Sequence, residues 1–129
     1  MRRGDPPDVI VLDSRFADLV FRGLDRMPAA GEELHGSGFT FRAGGAFNTL
    51  LTLRRLGLHV AWAVDFGNDL FSRFVRERAL AIGVDDRFFV DHEKSMVSVT
   101  CAVVLGEDRA FINYTEPEPL VSAPIRALG

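Results

Sequence analysis

The sequence predicts an α/β fold, a buried parallel layer with a smaller β-sheet beside it, on three observations. Asp8-Val9-Ile10-Val11-Leu12 and Val60-Ala61-Trp62-Ala63-Val64 are short apolar runs without polar alternation, the pattern of strands covered on both faces of a parallel sheet. Between residues 44 and 90 the periodicity changes from helix to strand and back, the rhythm of right-handed crossover units. On either side, segments 18–42 and 96–114 alternate with period two around turn residues and read as a small separate sheet. With 129 residues the chain is sized for one domain, one that buries roughly two-thirds of its unfolded surface.

The elements follow in order. After the first apolar run, Leu19-Val20-Phe21 and Phe39-Thr40-Phe41 read as strands of an antiparallel flap, with a turn at Pro28-Ala29-Ala30-Gly31. Gly44-Gly45 punctuates the chain. A helix through Leu56 follows, in which Phe47, Leu50, Leu51 and the stem of Arg54 share one face, and Gly57 ends it. The second apolar run leads to another helix, capped by Asn68 or Asp69, lined by Phe71, Phe74, Val75 and Ile82, and stopped by Gly83. Phe88-Phe89-Val90 is a third short strand. Val97, Val99, Cys101, Val103 and Leu105 then alternate with Ser98, Thr100 and Ala102, Gly106-Glu107-Asp108 turns, and Ala110–Tyr114 runs back, a hairpin expected to pair with the flap. A tail of residues 115–129, with Pro117, Pro119 and Pro124, carries no expected element.

Composition excludes several functions. Hydrophobic residues at 47% and charged residues at 26% are globular values. No apolar run approaches the ~20 residues of a membrane helix, and the basic start Met1-Arg2-Arg3 is followed by a strand rather than a cleavable leader. A net charge of −3 gives no electrostatic reason to bind nucleic acid or an anionic membrane. The single cysteine, Cys101, has no internal disulfide partner, which suits a reducing cytoplasm.

One constellation carries chemistry. Two glycines, Gly44 and Gly45, stand ahead of a helix whose first-turn N–H groups are free to donate. Asn48 on that turn offers donors and an acceptor, and Asp18 offers a carboxylate that can accept from two hydroxyls. Acceptors and donors gathered at the carboxyl end of a parallel strand suit a polyhydroxylated small molecule. The same residues are also the pattern of a tight turn and a helix cap. His35, His59 and His92 lack metal-ligand spacing, so no metal site is expected. No Gly-x-Gly-x-x-Gly follows the first strand, which speaks against a dinucleotide fold.

Gly44-Gly45-Ala46-Phe47-Asn48-Thr49, followed by Arg55-Leu56-Gly57, resembles the N-terminal signature of the PfkB family of carbohydrate kinases, the ribokinase-like enzymes. Asp18-Leu19-Val20, the Gly31-Glu32 turn, Gly67-Asn68-Asp69-Leu70-Phe71, Ile82-Gly83-Val84-Asp85 and Arg109-Ala110-Phe111 stand in the family's order. The resemblance implies a ribokinase-like three-layer α/β/α core, present here in part, with a β-sheet lid. It implies transfer of the ATP γ-phosphoryl group, with Mg²⁺, to a hydroxyl of a sugar, sugar acid or nucleoside. Carried over, Asp18 and Asn48 bind substrate hydroxyls, the Gly44 and Gly45 backbone lines the pocket, Phe16 and Phe47 wall it, and the lid strands pair two subunits.

The chain departs from that family in two ways. Its members are roughly twice this length, and the glycine-rich anion hole and catalytic aspartate of their C-terminal half have no counterpart here, so no catalytic residue is assigned and the chain alone is expected to be inactive. Phe16 stands where ribokinases place a sugar-binding asparagine, and Asp13 and Asp65 replace glycines. Ribose is therefore disfavoured, while another sugar, a sugar acid or a nucleoside stays open. The alternative is a non-catalytic sugar-binding or dimerisation module. Half of such a sheet leaves apolar surface uncovered, so self-association is expected.

Overall fold

A computed structural model describes residues 4–117. In chain order its elements are β1 (Val9–Val11), β2 (Arg15–Leu24), β3 (Gly38–Gly45), α1 (Phe47–Arg55), β4 (Val60–Trp62), β5 (Val64–Phe66), α2 (Leu70–Ala81), β6 (Phe89–Asp91), β7 (Ser98–Leu105) and β8 (Asp108–Thr115). The expected tail beyond Pro117, with Pro119 and Pro124, lies outside the described residues, as do Met1-Arg2-Arg3.

The parallel layer is built of two strand pairs. β1 lies beside β4, with Val9 opposite Val60 and Val11 opposite Trp62, and β5 lies beside β6. The single strand expected over Val60–Val64 is therefore two. Ala63 N–H still donates to Val11 O at 3.0 Å, whereas Val64 N–H donates to Phe88 O at 3.4 Å, so the chain changes partners at Ala63. Every residue of both strands is buried, and an unbroken apolar run reports burial without reporting which neighbour is paired. A second correction concerns β1, expected to be covered on both faces. Val11 joins the core, but Ile10 is 36% exposed.

Both helices end by the same device. Gly57 and Gly83 take left-handed φ values of +84° and +83°, Leu58 N–H reaches back to Leu53 O, and Val84 N–H reaches back to Ala79 O. These six-to-one bonds satisfy carbonyls that a helix end would orphan. Arg54 links the two ends: its guanidinium donates to Leu58 O at 2.7 Å and to Ile82 O at 3.0 Å. α2 begins at Asp69, whose carboxylate accepts from Ser72 N–H at 3.0 Å and from Met96 N–H at 2.9 Å. Leu50, Val75 and Ala79 pack onto Val60, Trp62, Val64 and Phe66, with Trp62 edge-on to Phe66 and its indole N–H donating to Asp13 O.

The remaining four strands form one sheet in the order β3-β2-β7-β8. Its two hairpins are antiparallel, as expected, but they join through a parallel pairing of β2 with β7, Ala17 opposite Val99 and Asp18 opposite Thr100. The sheet reaches further toward the core than the flap read from sequence: β2 begins at Arg15 and β3 continues through Gly45. One face is apolar apart from Arg15 at its base. Ala17 and Ala43 enter the core at its base, and Phe41 stacks on Phe74 of α2 at 4.0 Å between ring centroids.

Gly83→Ala places a side chain at positive φ and sets its Cβ 2.8 Å from the Arg54 guanidinium, whereas Gly57→Ala meets nothing. We expect Gly57→Ala to cost about 1 kcal/mol and Gly83→Ala about 2–3 kcal/mol in urea denaturation. Equal losses would show that the Arg54 link carries no weight.

Candidate functional site

The sequence singled out Asp18, Gly44, Gly45, Asn48, Phe16 and Phe47, and the structure sorts them into two neighbouring places. Asp18 sits in mid-β2, between Arg42 on β3 and Thr100 on β7. Its carboxylate leans over the next residue but one along β3: a Cβ built on Gly44 would lie 2.2 Å from Asp18 Oδ2. Gly44 is thus required by Asp18, since any side chain there would displace the carboxylate. Gly45 is required by a different neighbour. Its φ of +60° turns the chain from β3 into α1, and a Cβ there would lie 2.7 Å from Ser14 O. Both glycines are approached closely by the protein's own oxygens.

Asp18 is half-buried, and burial pushes its carboxyl above the usual carboxylate range, with Arg42 pulling the other way. Arg42 Nε stands 3.8 Å from Asp18 Oδ2, an ion pair without a hydrogen bond. Asp18, Arg42 and Thr100 line a concave cavity of about 140 Å³ together with Arg22 and Arg109. Phe16, two residues before Asp18, shares its face of β2.

Asn48 does not line that cavity. It stands on the exposed first turn of α1 and lines a larger groove of about 400 Å³ with Phe47, Leu51 and Arg78, and Arg42 borders both hollows. The first helical bond of α1 runs from Leu50 N–H to Ala46 O, and Ala46 provides no side-chain cap, so the N–H groups of the first turn point away from the helix.

Several residues flagged in the sequence are occupied elsewhere. Glu32 forks onto Arg26 and accepts from Ala29 N–H, closing the Gly31 loop at the far end of β2. His59 is bonded to Asp85 at 2.6 Å and His92 to Asp65 at 2.9 Å. The reading from sequence missed Arg42, Thr100 and Arg109. The period-two pattern does place Arg42 on the Gly44 side of β3, but only the long-range pairing of β2 with β7 brings Thr100 and Arg109 to the same hollow.

Residues 7–124 match the model of the pfkB family carbohydrate kinases. No curated protein is matched by the sequence. Among solved structures, the chain is similar to Arabidopsis thaliana ribokinase complexed with ribose and ATP, at 18% identity and a TM-score of 0.72 over 84% of this chain and 36% of that one. It is similar to a PfkB protein from Polaromonas sp. JS666 at 27% identity and a TM-score of 0.66, covering 84% and 35%. Ribokinase from Cryptococcus neoformans var. grubii serotype A in complex with ADP matches at 23% and 0.67, covering 91% and 39%. The fold is ribokinase-like, and the chain spans little more than a third of the length of these structures.

Gly44→Ala forces the Asp18 carboxylate aside and is expected to destabilise the chain by about 1–3 kcal/mol. Asp18→Ala should remove the clash, so that the double variant recovers most of that loss in a thermal-unfolding cycle. Additive losses would mean that the two residues do not meet.

Proposed function

The chain belongs to the pfkB family of carbohydrate kinases, and on that footing we propose that it is the substrate-binding part of an ATP-dependent kinase for a small polyhydroxylated molecule. The observation that carries this reading is the Asp18 carboxylate, seated over Gly44 at the wall of a concave cavity. A partly desolvated carboxylate accepts hydrogen bonds from two vicinal hydroxyls more strongly than one in water, since less water competes for the acceptor lone pairs. The Asn48 amide and the α1 first-turn N–H groups supply donors and an acceptor across the Arg42 boundary, Phe111 lines the Asp18 cavity, and Phe47 lines the groove beside Asn48. A sugar, a sugar acid or a nucleoside has the hydroxyls this arrangement needs.

Phosphoryl transfer is not assigned to any residue here. Mg·ATP is held by converging carboxylates and a glycine-rich loop that wraps the phosphates. Among the described residues no three His, Cys, Asp or Glu side chains converge, and the sequence has no Gly-Lys-Ser/Thr loop and no Gly-Ala-Gly-Asp segment. In the proposed kinase none of the described residues is assigned to ATP or Mg²⁺, and this chain alone is expected to bind substrate without turning it over.

A thermal-shift series with D-fructose, D-gluconate and adenosine tests the pocket. A ligand that binds only the folded state stabilises it by about 2.7 kcal/mol at a hundred times its Kd. We expect at least one of the three to raise the melting temperature of the chain, and Asp18→Asn to abolish the rise. A rise that survives Asp18→Asn would reject the assignment.

The second reading, a sugar-binding module that dimerises through its lid, is favoured by the outer apolar face of the sheet. Phe39, Ile112 and Tyr114 are 59%, 64% and 57% exposed there, beyond the part that α2 covers. Pairing this face with a second copy would bury all three. Sedimentation should then show a dimer at micromolar concentration that Ile112→Glu converts to monomer; a monomeric parent would dispose of the lid interface.

A further inference from the structure

The groove between α1 and α2, about 400 Å³ in volume, has its floor on the reverse side of the lid sheet. Phe41 and Ala43 of β3 form that floor; they alternate with Arg42 and Gly44 and so face away from Asp18. Phe47 and Leu51 of α1 make one wall, and Ala81 and Ile82 at the end of α2 make the other. Phe41, Phe47, Leu51 and Ile82 are only half-buried, and no carboxylate lines the groove. Arg78 borders it, exposed, with its guanidinium carbon 5.2 Å from the centre of the Phe74 ring. Phe74 in turn stacks on Phe41 of the floor. The guanidinium is thus held by its face. Its N–H donors lie in its plane and stay open, since it makes no hydrogen bond or ion pair among the described residues. The carboxyl end of α2 does not cancel this charge, because Ala79 O accepts from Val84 N–H and Ile82 O accepts from the Arg54 guanidinium.

We propose that this groove is a second binding site, for a small monocarboxylate with an apolar acyl or aryl body. The body covers the half-buried side chains between the helices, and Arg78 takes the carboxylate through two parallel N–H···O bonds. One guanidinium matches one planar carboxylate in both charge and shape, whereas a phosphate dianion would keep half its charge unpaired. Arg42 and Asn48 also border the groove, but Arg42 is paired with Asp18 at 3.8 Å. Those two residues belong to the sugar-binding reading, which the second site neither uses nor needs.

Titration calorimetry of the chain with butanoate, hexanoate, octanoate and 2-naphthoate, and with 1-octanol as the uncharged control, tests this. Affinity should rise roughly fivefold for each two methylenes from butanoate to octanoate, and 1-octanol should bind about tenfold more weakly than octanoate. Arg78→Gln should weaken octanoate about tenfold, and Arg78→Lys should recover part of the loss, which separates lost charge from lost folding. Ala81→Glu, at an exposed position, sets a carboxylate three residues after Arg78 and should block both octanoate and 2-naphthoate. Whichever of these two binds more tightly identifies the body as acyl or aryl. Asp18→Asn should leave both affinities within about twofold. Loss of octanoate in that variant would move the acid to the substrate cavity and overturn the second site. Affinity indifferent to chain length or to Arg78→Gln would overturn it as well, as would 1-octanol binding as tightly as octanoate. So would the failure of octanoate and 2-naphthoate to bind at millimolar concentration.

Discussion

The molecule is organised around one buried guanidinium. Arg15, only 4% exposed, donates to Asp65 O at 2.7 Å and to Met96 O at 2.8 Å, with its plane near the Phe66 ring. The first acceptor belongs to the core strand β5, and the second stands two residues before β7. Arg15 itself opens β2, so the two strands that form the middle of the lid start from one point, and their parallel register follows from it. The Met96 peptide is used from the other side as well. Its N–H donates to the Asp69 carboxylate, and its carbonyl also accepts from the Ser72 hydroxyl, which fixes the start of α2 to the same spot. Burial works to raise the Asp69 carboxyl, but the Met96 and Ser72 donors outweigh it and hold it below the ordinary value. Lid, core strand and helix share one junction, and the Asp18 face is positioned by it.

What could be read from sequence was local. Period-two alternation located β7 and β8, the Asp69 cap located α2, and Gly57 and Gly83 marked both helix ends, because each of these depends on residues within a few positions of one another. The partner change at Ala63 was hidden, since Val60–Phe66 is buried throughout and carries no polar residue at the switch. Arg15 was hidden for a related reason: an arginine at a strand start reads as surface, and its acceptors, Asp65 O and Met96 O, are 50 and 81 residues away.

The candidate site divides along the same line. The motif around Gly44 and Asn48 is contiguous and could be recognised, as the family match over residues 7–124 bears out. The physical reason for its glycines could not. Gly44 is bare to admit Asp18, 26 positions earlier in the chain, and that becomes visible only when β2 is laid against β3. The cationic wall opposite is more remote still, since Arg109 reaches the hollow through β8, β7 and β2 in turn.

The parallel pairing of β2 with β7 also sets a schedule for the chain during its synthesis. β2 can close its antiparallel hairpin with β3 as soon as residue 45 is free, but its other edge waits for residues 98–105. At roughly 5–20 residues per second on the ribosome, that interval lasts several seconds. Throughout it, a row of unpaired amides and carbonyls along Ala17–Phe21, flanked by apolar side chains, stands open to any passing strand. The surface that later holds the candidate site is therefore, while the chain is being made, its most adhesive part. Chaperone occupancy and ribosome pausing should matter most between these two strands.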